Sequence, residues 1–447
     1  MSAPDDGAGA AGPVHFAPAV PGAASARPAP AAPGLRWAGY GLLALPLAFA
    51  ALPLYVSLPA WYAQQYGVPL AALGGLLLAA RMADAVIDPW IGQALDRLFA
   101  RSLRGVIALA LVAAFALAGG FALLFMPPVR GTAALLAWAG MALAITYFAW
   151  SALTVLHQAW GAMLGGDAAQ RAAIAGWREG LGLAGVLLAA VLPSFAGWAT
   201  TSAVLAVLAL GGVAALAASP RPRATRAAAT GHAGSWRLPF AQPAFRRLLA
   251  VFLFNGIASA VPATLLLFFV RDRLQAPPAL EPAFLGTYFL VGAASVPLWL
   301  RGVRRFGLGP CWLAGMLLAV LAFGGAALLG AGDGMAFLAV CAASGLALGA
   351  DLPLPGALLA GVIARAGHSG RHEGAYVGWW NFATKLNLAL AAGLALPLLS
   401  LAGYAPGSRD PAALDALTLA YCALPCGLKL CAAALLARAL RKPEGLQ

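Results

Sequence analysis

The chain has 447 residues; 62% are hydrophobic, only 10% are charged, the mean hydropathy is +0.84 and the formal net charge is +13. No soluble domain of this length hides so much apolar surface, and repeated apolar runs of about 20 residues have the length that crosses a ~30 Å hydrocarbon core. Ala- and Leu-rich runs without a period-two pattern exclude a β-barrel. The basic balance fits loops beside anionic lipid and gives no reason to invoke nucleic acid.

Residues 1–34 are rich in Ala, Pro and Gly and read as a disordered tail, without the basic-then-apolar order of a cleavable signal. Twelve membrane helices follow. The first covers about 37–63 and carries Tyr55, Ser57, Trp61 and Tyr62 near its far end, the last two as interfacial belt residues. The second, about 69–98, is apolar as far as Gly92 apart from Arg81, Asp84 and Asp88. Their spacing of three and four puts them on one helical face. A charge at the centre of a membrane helix costs about 2.5–3.5 kcal/mol, so such a stripe marks an ion or solute path. A basic loop from Asp96 to Arg104 comes next, then helix three at about 105–126. Helix four covers about 131–157 and continues through Trp160, a further candidate, to its loop; Tyr147, Trp150, Thr154 and His157 form one polar-aromatic face on it. Helix five, about 172–195, opens on Gly176-Trp177-Arg178-Glu179-Gly180, and helix six covers about 199–217.

A basic linker at 219–245 separates an N-terminal bundle (35–218) from a C-terminal bundle (246–440), with 441–447 as a tail. Helices seven to twelve fall at about 246–270, 282–300, 308–330, 335–364, 374–402 and 412–438. Asp351 precedes Pro353 and Pro355 in helix ten, where it reads as a functional or helix-breaking residue. With the N-terminus inside, twenty Lys and Arg lie in inner segments against four in outer loops. This bias predicts a multi-pass cell-membrane protein with both termini cytoplasmic, in the inner membrane if the source is Gram-negative. Helices five and eleven look like weak repeats: each follows a basic loop (Arg171, Arg371), begins with a Gly/Trp/charge cluster and ends in Leu-Pro. Two six-helix halves imply a central cavity and alternating access by rocking. Glu179 and Glu373 are expected to pair with loop arginines as an inner gate. The five cysteines lack metal-ligand spacing and read as packing residues. No phosphate-binding loop, HExxH, Gly-x-Ser-x-Gly or CxxC occurs, which argues against an enzyme or a primary pump.

The stretch from Arg81 through Asp84, Asp88, Pro89 and Gly92 to Asp96 and Arg97 resembles the helix-two signature of the glycoside–pentoside–hexuronide:cation symporters. These are the melibiose-permease branch of the major facilitator superfamily. Arg171 followed by Trp177-Arg178 resembles that family's entry to helix five. Arg371-His372-Glu373-Gly374, running on through Asn381 to Lys385, resembles its stretch leading to a helix-eleven lysine. The resemblance implies the facilitator fold. It also implies that Asp84 and Asp88 bind the coupling cation, that Lys385 approaches them from the other half, that Arg178 contacts sugar, and that Tyr147 lies where helix four serves both sites. Arg81, Asp96, Arg97, Arg371 and Glu373 fall to gating and Asn381 to solute binding. Two family carboxylates have no counterpart: the place on helix one is near Ala48, and helix four shows Thr154 and His157. Fewer carboxylates favour a proton over sodium.

The expectation is therefore an all-α membrane protein with twelve helices in two halves, a secondary transporter coupling a proton or cation to a small polar solute such as a sugar or sugar acid. Its partners are the solute, the coupling ion and the bilayer, with no cofactor and no nucleic acid, and it acts as a monomer. The rivals are an exporter or carrier of an amphiphilic lipid or drug on the same fold, and a non-transporting membrane receptor or assembly protein.

Overall fold

The computed structural model describes residues 37–222, 236–405 and 407–441. The tail expected at 1–34, residues 223–235 of the linker expected at 219–245 and all but the first residue of the tail expected at 441–447 lie outside these residues.

Every regular element among the described residues is helical, and the chain crosses twelve times. The first crossing, α1 (38–66), is assembled from short helices around a π-helical turn, Pro53–Ser57. Pro53 lacks the N–H that an α-helical ladder needs there, and the π turn absorbs the missing bond. Next come α2 (Leu70–Arg101), α3 (Leu103–Phe125) and α4 (Thr132–Met163). A continuous helical run, Ala168–Ala218, is broken at Gly197, whose φ of 70° only glycine adopts without strain. It therefore makes two crossings, α5 (168–196) and α6 (198–218). The second half contains α7 (Pro243–Arg273), α8 (Glu281–Phe306), α9 (Leu308–Ala326), α10 (Gly334–Arg365), α11 (Glu373–Leu401) and α12 (Pro411–Leu440). Nine described segments are long and apolar enough to span by composition. The Gly197 break divides one of them, and the charge-bearing α2 and α11 complete the twelve.

Helix α4 runs through Trp160 to Met163, as expected, while α5 starts at Ala168, four residues before the expected 172. The stop is set by Gly165 and Gly166, at φ 66° and 99°, and the restart by Asp167, whose carboxylate caps the Gln170 N–H at 2.7 Å. Tyr62 differs too. It is fully buried, and the Trp61 indole donates to the Phe125 carbonyl at 3.1 Å, so this pair packs α1 onto α3 instead of forming a lipid belt.

Small residues let the helices touch backbone to backbone. Within the halves, a Cβ at Gly185 would strike the Leu45 carbonyl, and one at Gly345 would strike that of Tyr288. Between the halves the same device closes one end, the end that bears both chain termini. There Gly92 of α2 meets Gly374 of α11, Gly378 meets the backbone of Asp88 and Pro89, and Gly176 of α5 faces Val296 of α8. Toward the opposite end, the side chain of Arg81 is exposed.

Candidate transport site

Asp84 and Asp88 sit one turn apart on α2, as their spacing requires, and both are buried. The partner is Lys385, which reaches across from α11 in the other half. Its ammonium lies 2.6 Å from Asp84 Oδ2 and 2.8 Å from Asp88 Oδ2. It also donates to Ser151 Oγ of α4 at 2.8 Å, and that hydroxyl donates to Asp84 Oδ1 at 2.5 Å. The Trp150 ring lies 5.4 Å from the ammonium. Two carboxylates thus share one local cation. Asp88 is the less satisfied of the two: the contact with Lys385 is an ion pair by distance but is poorly aligned, and neither Asp88 oxygen accepts a hydrogen bond. Arg81 does not make up the deficit. Its guanidinium stacks on Tyr55 of α1, 4.4 Å from the ring centre. A buried carboxylate without full compensation is costly, and a proton or small cation relieves that cost.

Asp88 and Lys385 form one wall of a cavity of about 430 Å³ between the halves. Trp150, Ser151, Thr154, His157, Arg178, Glu179, Asp351, Trp380 and Asn381 line it too. The Thr154 hydroxyl and the Asn381 amide nitrogen are buried there without partners, which leaves hydrogen-bonding capacity for a solute. The Trp380 ring stacks on Phe252 at 3.8 Å and presents a rigid apolar surface. His157 is held by the Tyr40 carbonyl at 2.8 Å and by that residue's ring at 4.4 Å.

Other expected positions lie elsewhere. Tyr147 is buried beside Tyr55, 6.5 Å ring to ring, and does not line the cavity. Trp160 is a packing residue, 1% exposed, whose indole donates to the Pro220 carbonyl at 3.1 Å and pins the chain as it leaves α6. Arg97 and Arg371 are exposed and have no carboxylate partner among the described residues.

The gate pairing expected for the two glutamates is corrected by the structure. Glu179 pairs with its own neighbour Arg178 at 2.6 Å, not with a loop arginine. Glu373 is fully buried and accepts from the Gly370 N–H at 2.6 Å, so it ties the turn before α11. The contact across the halves comes from Asp96 of α2, whose two oxygens accept from the Gly374 and Ala375 N–H groups at 2.6 and 2.9 Å. A carboxylate on the free N–H groups of a helix start is favoured by hydrogen bonding and by the helix dipole together. Asp96→Ala is expected to weaken closure of this end by about 2 kcal/mol. Faster alkylation of a cysteine placed at Val377, buried between the halves, in a background lacking the five native cysteines, reads that loss; an unchanged rate removes Asp96 from the latch.

Two features escaped the sequence reading. Lys429 of α12 forms a second buried pair, 2.7 Å from Asp351 Oδ2, with Asn255 of α7 bridging both. In addition, Trp236, within the linker, lies between Trp90 of α2 and Trp379 of α11, at 5.7 and 5.4 Å. Lys429 was visible as a lone lysine in an apolar helix, but nothing in one sequence pairs it with a residue 78 positions away. Among the described residues no group of three or more His, Cys, Asp or Glu side chains could hold a metal ion.

Solved structures share this architecture at low identity. A bacterial homologue of the iron transporter ferroportin, in its outward-facing state, superposes with a TM-score of 0.67 at 14% identity, covering 90% of this chain and 98% of its own. The human organic anion transporter MFSD10 does so at 0.61 and 20% identity, covering 90% and 98%. The E. coli fucose:proton symporter FucP (N162A) gives 0.61 at 14% identity, covering 89% and 97%. No curated protein sequence matches the chain. A family model described as MFS/sugar transport protein matches residues 38–440. With twelve helices in two halves around a charged central cavity, the chain is a multi-pass membrane protein that belongs to this family of transporters within the major facilitator superfamily.

Proposed function

We propose that the protein is a secondary active transporter that couples a proton, or another monovalent cation, to a small polar solute such as a sugar or sugar acid. The observation that carries this reading is Lys385, which bridges from one half to Asp84 and Asp88 of the other at the cavity wall. Opening the terminus-bearing end must move α11 away from α2. The ammonium is then drawn off two carboxylates that cannot both stay charged and buried without it. A proton or cation arriving at Asp88 removes that obstacle. Rocking thereby becomes conditional on ion binding, and the ion gradient gives the cycle a direction.

The cavity supplies groups for a hydroxylated solute. Trp150 and Trp380 offer ring faces, Thr154 and Asn381 have free polar atoms, and Arg178 with its Glu179 counter-ion can donate and accept. The fucose transport named for FucP agrees with this class. The excess of basic residues at the terminus-bearing end supports a cytoplasmic location for both termini. A second reading, transport or export of an amphiphile, is favoured by one observation: a compartment of about 130 Å³ inside the second half, walled by Phe284, Tyr288, Phe323 and Tyr421.

Flux in proteoliposomes separates the readings. Symport predicts that an inward ion gradient concentrates a sugar or sugar acid inside; export predicts the opposite direction; a receptor binds without flux. For Arg178→Ala, solute affinity is expected to fall about tenfold or more, the worth of a charge-assisted hydrogen bond in a desolvated site. Wild-type affinity in this variant would remove Arg178 from the solute site.

A further inference from the structure

Helix α10 is not continuous. It runs as Gly334–Asp351 and resumes as Leu354–Arg365, with the break near the middle of the crossing. Pro353 and Pro355 cause it, because neither supplies the N–H that would close onto the carbonyl four residues earlier. A helix broken at membrane depth is tolerated where it lines a cavity, and such breaks carry binding groups in transporters. The residue at this break is Asp351, and it lines the central cavity opposite Asp88 and Lys385.

The surroundings of Asp351 differ from those of the α2 pair. Oδ1 accepts from Asn255 Nδ2 at 3.2 Å and from Trp312 Nε1 at 2.8 Å, while Oδ2 faces Lys429 Nζ at 2.7 Å. Lys429 is held in turn by Asn255 Oδ1 at 2.8 Å and Ser259 Oγ at 3.2 Å. One carboxylate faces one ammonium, so the cluster balances without an added ion. The Asp351 side chain keeps 13% exposure and lines both the central cavity and the compartment inside the second half, whereas Lys429 keeps 5% and lines only the latter. Three donors from three helices fix the carboxylate, yet a carboxylate has about four acceptor sites. Because Asp351 is a lining residue of the central cavity, a solute there is placed to use the remaining capacity.

From this placement we infer that Asp351 is a solute-binding residue, a fixed hydroxyl acceptor contributed by the second half, with Lys429 as its permanent counter-ion. The inference rests on the proposed transport of a hydroxylated solute and adds a division of labour to it. The α2 cluster is short of positive charge and answers to the ion. The α10 cluster is balanced and answers to the solute. A solute held by Arg178 and Thr154 of the first half and Asp351 of the second would draw the halves together. That is the differential contact alternating access needs.

The test is equilibrium binding to purified protein, read by tryptophan fluorescence or calorimetry, with D-xylose, L-fucose, melibiose and D-glucuronate as probes at acidic and at alkaline pH. The variants are Asp351→Asn and the charge-balanced Asp351→Asn/Lys429→Gln, which leaves no unpaired buried lysine if the single change fails to fold. Whichever probe binds the wild type is expected to bind the double variant about tenfold or more weakly. The pH dependence of what binding remains should be unchanged, whereas Asp88→Asn should change that pH dependence. A merely structural pair would lower the melting temperature and leave affinity alone. Wild-type affinity in the double variant overturns the role of Asp351. Failure of the wild type to bind any of the four probes overturns the sugar or sugar-acid reading, and with it this assignment.

Discussion

Asp88→Asn abolishes gradient-driven accumulation of solute, by roughly 100-fold relative to the wild type, a change of about 2.7 kcal/mol in the coupled step. The expectation follows from counting charges around Lys385. In the wild type this ammonium faces two buried carboxylates, at 2.6 and 2.8 Å, and neither Asp88 oxygen accepts a hydrogen bond. The side-chain amide of asparagine keeps the volume and removes the charge, leaving Asp84 and Lys385 as a balanced pair like Asp351 and Lys429. Nothing then requires an ion before the halves rock. Asp84→Asn should fail in the same way, although its amide oxygen can still accept from the Ser151 hydroxyl. Insertion and solute binding should persist, because the cavity's free polar atoms and ring faces are untouched. Retained accumulation in both variants would remove the α2 acids from coupling.

Gly92→Val should stop transport by preventing closure of the terminus-bearing end. A Cβ at this position would run into the Gly374 carbonyl, and that neighbour is backbone on the opposing half, so no rotamer change makes room. Overpacking of this kind costs about 3 kcal/mol. The cost falls on the closed state alone, since the two glycines separate when this end opens. The population should therefore move roughly 100-fold toward the open form. Spin labels at Arg97 and Arg371, both exposed, in a background lacking the five native cysteines, report the distance across this end. A distance distribution matching that of the wild-type glycine would rule this contact out as the gate.

Most of the architecture was legible in the sequence because the bilayer imposes length and apolarity on each crossing. The α2 carboxylates were legible for the opposite reason: three charges in an apolar run have no ordinary explanation. Lys385 came from resemblance, and the structure places it against both acids. What stayed hidden depends on contacts between distant segments. Glu373 and loop arginines looked like gate partners by charge, yet the carboxylate serves the backbone of its own turn, and Asp96 makes the cross-half contact by finding free N–H groups at the start of α11. Backbone donors have no letter in a sequence. Asp351 stood out beside its prolines, but its pairing with Lys429 through Asn255 needs three helices brought together.

Coupling through Asp84, Asp88 and Lys385 is tested by sugar accumulation in proteoliposomes under an imposed proton gradient, an imposed sodium gradient, and none. Concentrative uptake is expected under an inward ion gradient, with the proton gradient the more effective, and its loss in Asp88→Asn. Uptake that only reaches equilibrium under every gradient would contradict this coupling.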